Sequence, residues 1–97
     1  MKVAVSNNSL LSNINEIWSC GEHVFIVRNK YGRTFRVTAA QNVFSSSSDK
    51  FCSFFEEEVE FYGQTIWVKA SLTAPGAESV KQCLGNALEV INTVSER

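Results

Sequence analysis

The stretch AESVKQCLGNALEVINTV, residues 77–94, decides the fold of this chain. Its apolar residues recur 3, 4, 7, 8, 11 and 14 positions after the first of them, which is the spacing of one side of an α-helix. They are Val80, Cys83, Leu84, Ala87, Leu88, Ile91 and Val94. A helix with one apolar stripe has to bury that stripe against another layer, so the stretch predicts an amphipathic helix packed on a sheet. Cys83 lies within the stripe and is therefore predicted to be a buried thiol.

A first hairpin upstream of the helix supplies part of the predicted sheet. Residues 23–28 and 33–38 are predicted strands, joined by a turn that ends at Gly32. The second of them alternates, with Phe35 and Val37 on its inward side. The first contains four apolar residues in succession, and such a run needs cover on both faces of the sheet.

A second predicted hairpin follows the first. Its strands cover residues 54–62 and 65–72, and they meet at a turn that begins with Gly63. Residues 49–55 are ambiguous, because their phenylalanines also have helical spacing. The alternation that begins at Phe54 favours a strand from there onward.

Two short elements are predicted before the first hairpin. Residues 2–5 alternate in the manner of a strand. Residues 10–18 are predicted to form a short helix, because their apolar members fall on one helical face. These members are Leu10, Leu11, Ile14, Ile17 and Trp18. The end of this segment, residues 16–20, fits the beginning of a strand equally well.

The elements together predict a single α+β domain over residues 1–97. Strands joined by short turns favour an antiparallel sheet of four to five strands, with the C-terminal amphipathic helix packed on one face and a short N-terminal helix. The C-terminal helix can cover one face of this sheet. The sequence leaves open whether the N-terminal helix or a partner covers the other.

Size, charge and cysteine content narrow the functional classes. The chain has 97 residues and a formal net charge of −1, which favours neither a strongly basic nucleic-acid binder nor an acidic nucleic-acid mimic. Three widely spaced cysteines are an odd number, unlike a disulfide-stapled secreted scaffold. We find no signal-peptide pattern and no apolar run long enough for a membrane span, so the cytoplasm is the expected location and no membrane is expected as a partner.

Metal binding and catalysis are both disfavoured by the motifs. A Cys₃His zinc set can be drawn from Cys20, His23, Cys52 and Cys83, but one short-spaced pair is a weak signature and the helix claims Cys83 for the core. The chain has one His and one Asp, and it contains no nucleophile elbow, phosphate loop or HExxH motif. We therefore predict no catalytic residue, no metal site, no cofactor and no enzyme.

The charged residues form two clusters in the sequence. The acidic cluster, Glu56, Glu58 and Glu60, shares one side of a predicted strand. The basic cluster consists of Arg28, Lys30, Arg33 and Arg36, with Tyr31 among them. Such a hairpin predicts phosphate contacts and base stacking, which makes a nucleic-acid-binding module using residues 28–36 the alternative function. Pairing of the two clusters across the sheet is the competing interpretation.

Apolar residues on the second sheet face favour a protein-binding role. Val24 and Ile26 lie opposite the inward side of their strand, and Trp67 lies opposite Ile66 and Val68. An apolar surface centred on Trp and rimmed by charge is typical of a protein-binding site or a dimer interface. The candidate residues are Val24, Ile26, Trp67, Lys69, Glu56, Glu58 and Glu60.

The leading prediction is therefore a small non-enzymatic protein-interaction module. It is predicted to bind a partner protein or a second copy of itself through a sheet face or edge. Accessory, regulatory and inhibitor proteins of viruses and mobile elements share this size and composition.

Overall fold

The computed structural model describes residues 2–3, 11–41 and 49–95 of the chain. It contains six strands and one helix within these residues: β1 (Lys2–Val3), β2 (Ile14–Ser19), β3 (Val24–Asn29), β4 (Thr34–Gln41), β5 (Phe51–Phe61), β6 (Gln64–Lys69) and α1 (Val80–Asn92). The spatial order of the strands equals their order in the chain, and each strand is antiparallel to its neighbour. The predicted α+β class is confirmed, with a sheet of five full strands, β2 to β6, and the two-residue β1 at its edge.

Both predicted hairpins and the C-terminal helix are present. The ambiguous segment is a strand from Phe51 onward, so β5 is longer than predicted. The two residues of the tight turn between β5 and β6, Tyr62 and Gly63, have positive φ values of 51° and 77°. This is the backbone of a two-residue hairpin turn whose twist matches the flanking strands. The predicted strand over residues 2–5 is seen at Lys2–Val3, and its other residues lie outside the described part of the chain.

The short N-terminal helix was predicted wrongly. Leu10 lies outside the described residues, and Ile14–Ser19 forms strand β2. The pairing of β2 with β3 shifts by one residue between Ile14 and Glu16. This β-bulge inserts one residue, so Ile14 and Ile17 both reach the core although they are three positions apart. A bulged strand therefore reproduces the three-residue spacing that indicates a helix.

The core lies between α1 and one face of the sheet, which we call the covered face. Its centre is formed by fully buried residues of β3 and β4, namely Val27, Phe35 and Val37. Ala87, Leu88 and Ile91 of α1 pack against them. Cys83 is also fully buried, as its place in the apolar stripe predicted. Burial of these side chains stabilises the fold by ~1.5–3 kcal/mol for each large apolar residue.

Helix α1 is held at both ends. At its N-terminus Ser79 is the cap, and its Oγ accepts a hydrogen bond from the Gln82 N–H at 3.1 Å. Near its C-terminus three asparagines form what we call the amide clamp: Asn13, Asn29 and Asn92. The Asn13 N–H donates to Asn92 Oδ1 at 2.8 Å, and Asn13 Nδ2 donates to the Asn92 carbonyl at 2.7 Å. The clamp thereby fixes α1 to the strand end beneath it.

Asn29 is the fully buried member of the amide clamp. Its Oδ1 accepts from the N–H groups of Tyr31 and Arg33, each at 3.0 Å, and its Nδ2 donates to the Val94 carbonyl at 3.2 Å. One amide thus closes the β3–β4 turn and also holds the chain that leaves α1.

None of the described helices is long and apolar enough to span a bilayer.

Candidate functional site

The sheet face opposite α1, which we call the open face, has no described element packed against it. The strand register decides which residues it carries, because directly paired residues project to the same side. Trp18 pairs with Ile26, Ile26 with Arg36, and Arg36 with Glu56. Glu56 pairs in turn with Lys69, and Glu58 pairs with Trp67. The open face therefore collects side chains from all five full strands.

All seven residues predicted for protein binding lie on the open face. Val24 and Ile26 are on β3, Trp67 and Lys69 are on β6, and the three glutamates are on β5. Val24, Ile26 and Trp67 are half-buried among their sheet neighbours. The predicted faces of these strands are thus the observed ones, since Val27 and Phe55 point the other way into the core.

Three aromatic side chains bring further apolar area to the open face or its vicinity. Phe54 is on the open face, opposite Thr38, and is 56% exposed. Trp18 was assigned to a helix, and its place in the sheet becomes clear from the pairing with Ile26. The alternation along β5 would have placed Phe54 here, because Phe55 is the neighbouring core residue. Tyr62, at the tip of the β5–β6 turn, is 92% exposed and stacks edge-on with Phe61.

Each tryptophan of the open face has an arginine guanidinium over its ring. The Arg36 guanidinium lies 4.7 Å from the centre of the Trp67 ring, and its Nε donates to Glu56 Oε1 at 2.9 Å. The Arg28 guanidinium lies 5.4 Å from the Trp18 ring. Such cation–π contacts at partly exposed sites contribute ~0.5–1 kcal/mol each. They tie each indole ring to an arginine of another strand, and both tryptophans remain half-buried.

A third arginine of the basic hairpin lies on the other side of the sheet. Arg33 forms a two-pronged ion pair with Glu57, with its Nε 2.8 Å from Oε2 and its Nη2 2.9 Å from Oε1. Glu57 is 6% exposed. Hydrogen bonding to Glu57 is the main reason that the pKa of Arg33 lies above its usual value. Burial acts in the opposite direction, and the negative charge of Glu57 adds a smaller increase. This arginine stabilises the fold.

The predicted nucleic-acid-binding hairpin is therefore divided by the structure. Arg28 and Arg36 lie on the open face, Arg33 binds Glu57 on the covered face, and Lys30 sits over the Tyr31 ring at the turn. A cleft beside the turn is lined by Tyr31 and Arg33 together with glutamates, namely Glu57, Glu58 and Glu60. Acidic neighbours repel phosphate, so the hairpin does not form one basic surface.

The cysteines and the histidine considered for zinc are separated. Cys83 lies on α1, where its Sγ is 3.1 Å from Ser53 Oγ on the covered side. Cys52 is paired with Ala40, and its position in β5 places it on the open face. Among the described residues, no group of three or more His, Cys, Asp or Glu side chains is arranged to hold a metal ion.

A shallow groove borders the open face where β6 ends. It is lined by Phe54, Glu56 and Lys69 together with residues at the sheet edge, Ser53, Phe55, Ala70 and Leu72. The groove combines the exposed Phe54 ring with one acidic and one basic side chain, Glu56 and Lys69.

Comparisons of the chain with protein-family models, with curated proteins and with solved structures gave no match.

Proposed function

We propose that this protein is a small non-enzymatic interaction module of the accessory, regulatory or inhibitor type, which binds a partner protein on its open face. One observation carries the proposal. Two tryptophans, Trp18 and Trp67, lie on a face against which no described element packs, next to half-buried Val24 and Ile26 and the exposed Phe54. Aromatic side chains surrounded by charge are the residues that dominate protein–protein binding energy.

The charges of the open face fit a protein partner better than a polyanion. Arg28 and Arg36 are paired with glutamates, at 3.9 and 2.9 Å, so their charge is largely compensated. Lys69, Glu58 and Glu60 make no ion pair within the described residues and are available to a partner of mixed charge. Complementary charges of this kind orient a docking partner and speed association.

A cytoplasmic location is part of the same proposal. The described cysteines, Cys20, Cys52 and Cys83, are all free thiols, which supports a reducing compartment. A role for viruses or mobile elements rests on size and composition and adds no chemical argument.

The test is a capture experiment with matched variants. Wild-type protein, Trp67→Ala and Trp18→Ala are used as bait in extracts of the producing cells, and bound proteins are identified by mass spectrometry. Lys81→Ala, an exposed position on α1, is the control. We expect one partner that is retained by wild type and Lys81→Ala and reduced at least tenfold with either tryptophan variant. Thermal unfolding confirms that each variant is folded.

Capture that survives both tryptophan substitutions would contradict the proposal, as would a partner lost equally in Lys81→Ala. Direct binding of the purified partner to wild type, with a Kd that rises at least tenfold in Trp67→Ala, completes the test.

A nucleic-acid-binding role is the second candidate, and one observation favours it. Lys30 and Tyr31 are exposed together at the β3–β4 turn, with the ammonium 5.2 Å from the ring centre. The affinity for single-stranded nucleic acid should then fall steeply as the salt concentration rises, because each phosphate contact releases counterions. An Arg28→Glu/Lys30→Glu variant should lose it. Binding that is unaffected by both changes excludes this role.

A further inference from the structure

The outer edge of β6 presents backbone groups that no described residue satisfies. β6 is the last strand of the sheet and pairs on one side, with β5. The Ala70 N–H donates to the Phe55 carbonyl at 3.0 Å, which fixes the phase of this ladder. Since the hydrogen-bonded side alternates from residue to residue, the backbone groups of Thr65, Trp67 and Lys69 point away from β5.

This edge lacks most of the devices that prevent strand addition. The six pairs between β5 and β6 run without a register shift, so no bulge turns the edge away. The strand QTIWVK contains no proline, and its one charged residue is Lys69. Helix α1 packs on β2 to β5 and leaves β6 accessible from the side.

The charged residues next to the β6 edge would complement those of a second copy of the same edge. On the open face Lys69 is at one end of β6, and Thr65 is at the other. Thr65 pairs with Glu60 of β5. Lys69 and Glu60 are each without an ion-pair partner among the described residues. A second β6 in antiparallel orientation would bring each lysine to the end where the other copy carries its glutamate.

We infer that a second copy of this chain pairs with the β6 edge, with Trp67 opposite Trp67 of the second copy, and joins two sheets into one. The inference rests on the proposed function, because it names a second copy as one partner of the module. Residues 65, 67 and 69 then face residues 69, 67 and 65 of the other copy, which is the alternation that their outward N–H and C=O groups require. The two copies are related by a twofold axis through the Trp67 pair.

This register also matches the side chains on both faces. On the open face Lys69 lies beside Thr65 of the second copy and reaches across it to Glu60, about 10 Å away at the backbone. On the covered side Ile66 faces Val68 of the second copy, so two partly exposed apolar residues of each copy become neighbours. A slip by one residue pairs inward-pointing with outward-pointing backbone groups and loses the ladder.

The size of the contact sets the expected affinity. Six-residue strands bury less area than a standard stable interface, so we expect a dissociation constant on the order of 10–100 μM. The dimer carries both open faces on the same side, and a partner with two binding sites would then bind with increased avidity.

The test is sedimentation velocity of the full chain from about 5 μM to about 1 mM, a range that brackets the expected dissociation constant. We expect the weight-average mass to rise toward that of a dimer. Thr65→Pro should raise the dissociation constant at least tenfold, because proline removes an outward N–H and leaves the β5 ladder intact. Thr65→Ser is the matched control and should dimerise like wild type.

A charge exchange tests the register. Lys69→Glu alone places like charges together and should weaken the dimer, whereas Lys69→Glu/Glu60→Lys should recover most of the affinity. Amide hydrogen exchange of Thr65, Trp67 and Lys69 should slow as concentration rises, in wild type and in the double variant.

A chain that stays monomeric up to the highest concentration overturns the inference, and so does a dimer that Thr65→Pro leaves intact. A double variant as weak as Lys69→Glu overturns the register. These outcomes are separate from the proposed function, because capture of a partner by Trp67 is measured with the monomeric Thr65→Pro variant.

Discussion

The two faces of the sheet carry the same kind of ion pair in different surroundings. On the covered face Arg33 binds Glu57 with two contacts of 2.8 and 2.9 Å, and Glu57 is 6% exposed. On the open face Arg36 binds Glu56 at 2.9 Å, with the two side chains 34% and 37% exposed. A buried pair cannot exchange its partners without a large penalty, but a solvated pair can. The difference separates an ion pair that holds the fold from one that can rearrange when a partner binds.

The largest contrast is expected between aromatic residues of the two faces. Phe35 is fully buried on the covered face, and Phe35→Ala should lower the free energy of unfolding by ~3–5 kcal/mol. Trp67 is half-buried on the open face, and Trp67→Ala should lower it by about 1 kcal/mol, mainly through the lost contact with Arg36. Urea unfolding measures both values. Equal losses would mean that Trp67 belongs to the core and that the open face is covered.

The ion pair on the covered face should likewise contribute more to stability than the ion pair on the open face. Arg33→Ala leaves the buried Glu57 without its guanidinium and should cost ~2–3 kcal/mol of stability, less than a fully buried pair because the Arg33 side chain is 24% exposed. Arg36→Ala, the matched change on the open face, should cost ~0.2–1 kcal/mol. The readout is urea unfolding at low and high salt. If the two losses are the same, burial does not distinguish the pairs.

The next largest loss of stability is expected from a change in the amide clamp. Asn29→Ala removes three hydrogen bonds of a fully buried side chain and should destabilise the protein by ~1–3 kcal/mol. Since the clamp lies below the end of α1, hydrogen exchange should quicken first in the last turn of the helix. Exchange that quickens uniformly along the sheet would instead indicate that Asn29 acts on the turn alone.

The smallest change in stability is expected on the outer surface of α1, away from both faces of the sheet. Gly85 lies in the middle of the helix, exposed, with nothing within 4 Å of the place where a Cβ would be. Gly85→Ala should therefore raise stability by ~0.5–1 kcal/mol, because alanine loses less backbone freedom in a helix. Thermal unfolding provides the measurement, and binding on the open face should not change. A loss of stability would mean that the added methyl group clashes with a neighbouring residue.

The parts of the fold that could be predicted are those with an unbroken period. The stripe of α1 repeats over four turns, and faces were predicted for residues 34–38 of β4, 55–61 of β5 and 65–69 of β6. The predicted faces of these stretches are the observed ones. The five protein-binding candidates on β5 and β6 lie on one face for the same reason. Such patterns report directly which side of an element is buried.

The part that was predicted wrongly contains a break in the period. The bulge between Ile14 and Glu16 changes the phase of β2, so two core residues stand three apart in the sequence. A sequence pattern cannot distinguish this from a helix, because the pairing strand that defines the bulge is elsewhere in the chain. The error also removed Trp18 from the predicted surface. The ring belongs to the open face, beside Ile26.

The sequential order of the strands has a consequence for how the chain folds. Each described strand pairs with its neighbour in sequence, so most contacts close short loops and the sheet can grow from one end. Helix α1 touches β2 to β5, which makes it the element that joins distant parts of the chain. It leaves the ribosome after the six described strands. Until then no described element covers either face of the sheet, and the core side chains Phe35, Val37 and Phe55 are open to contact with other nascent chains.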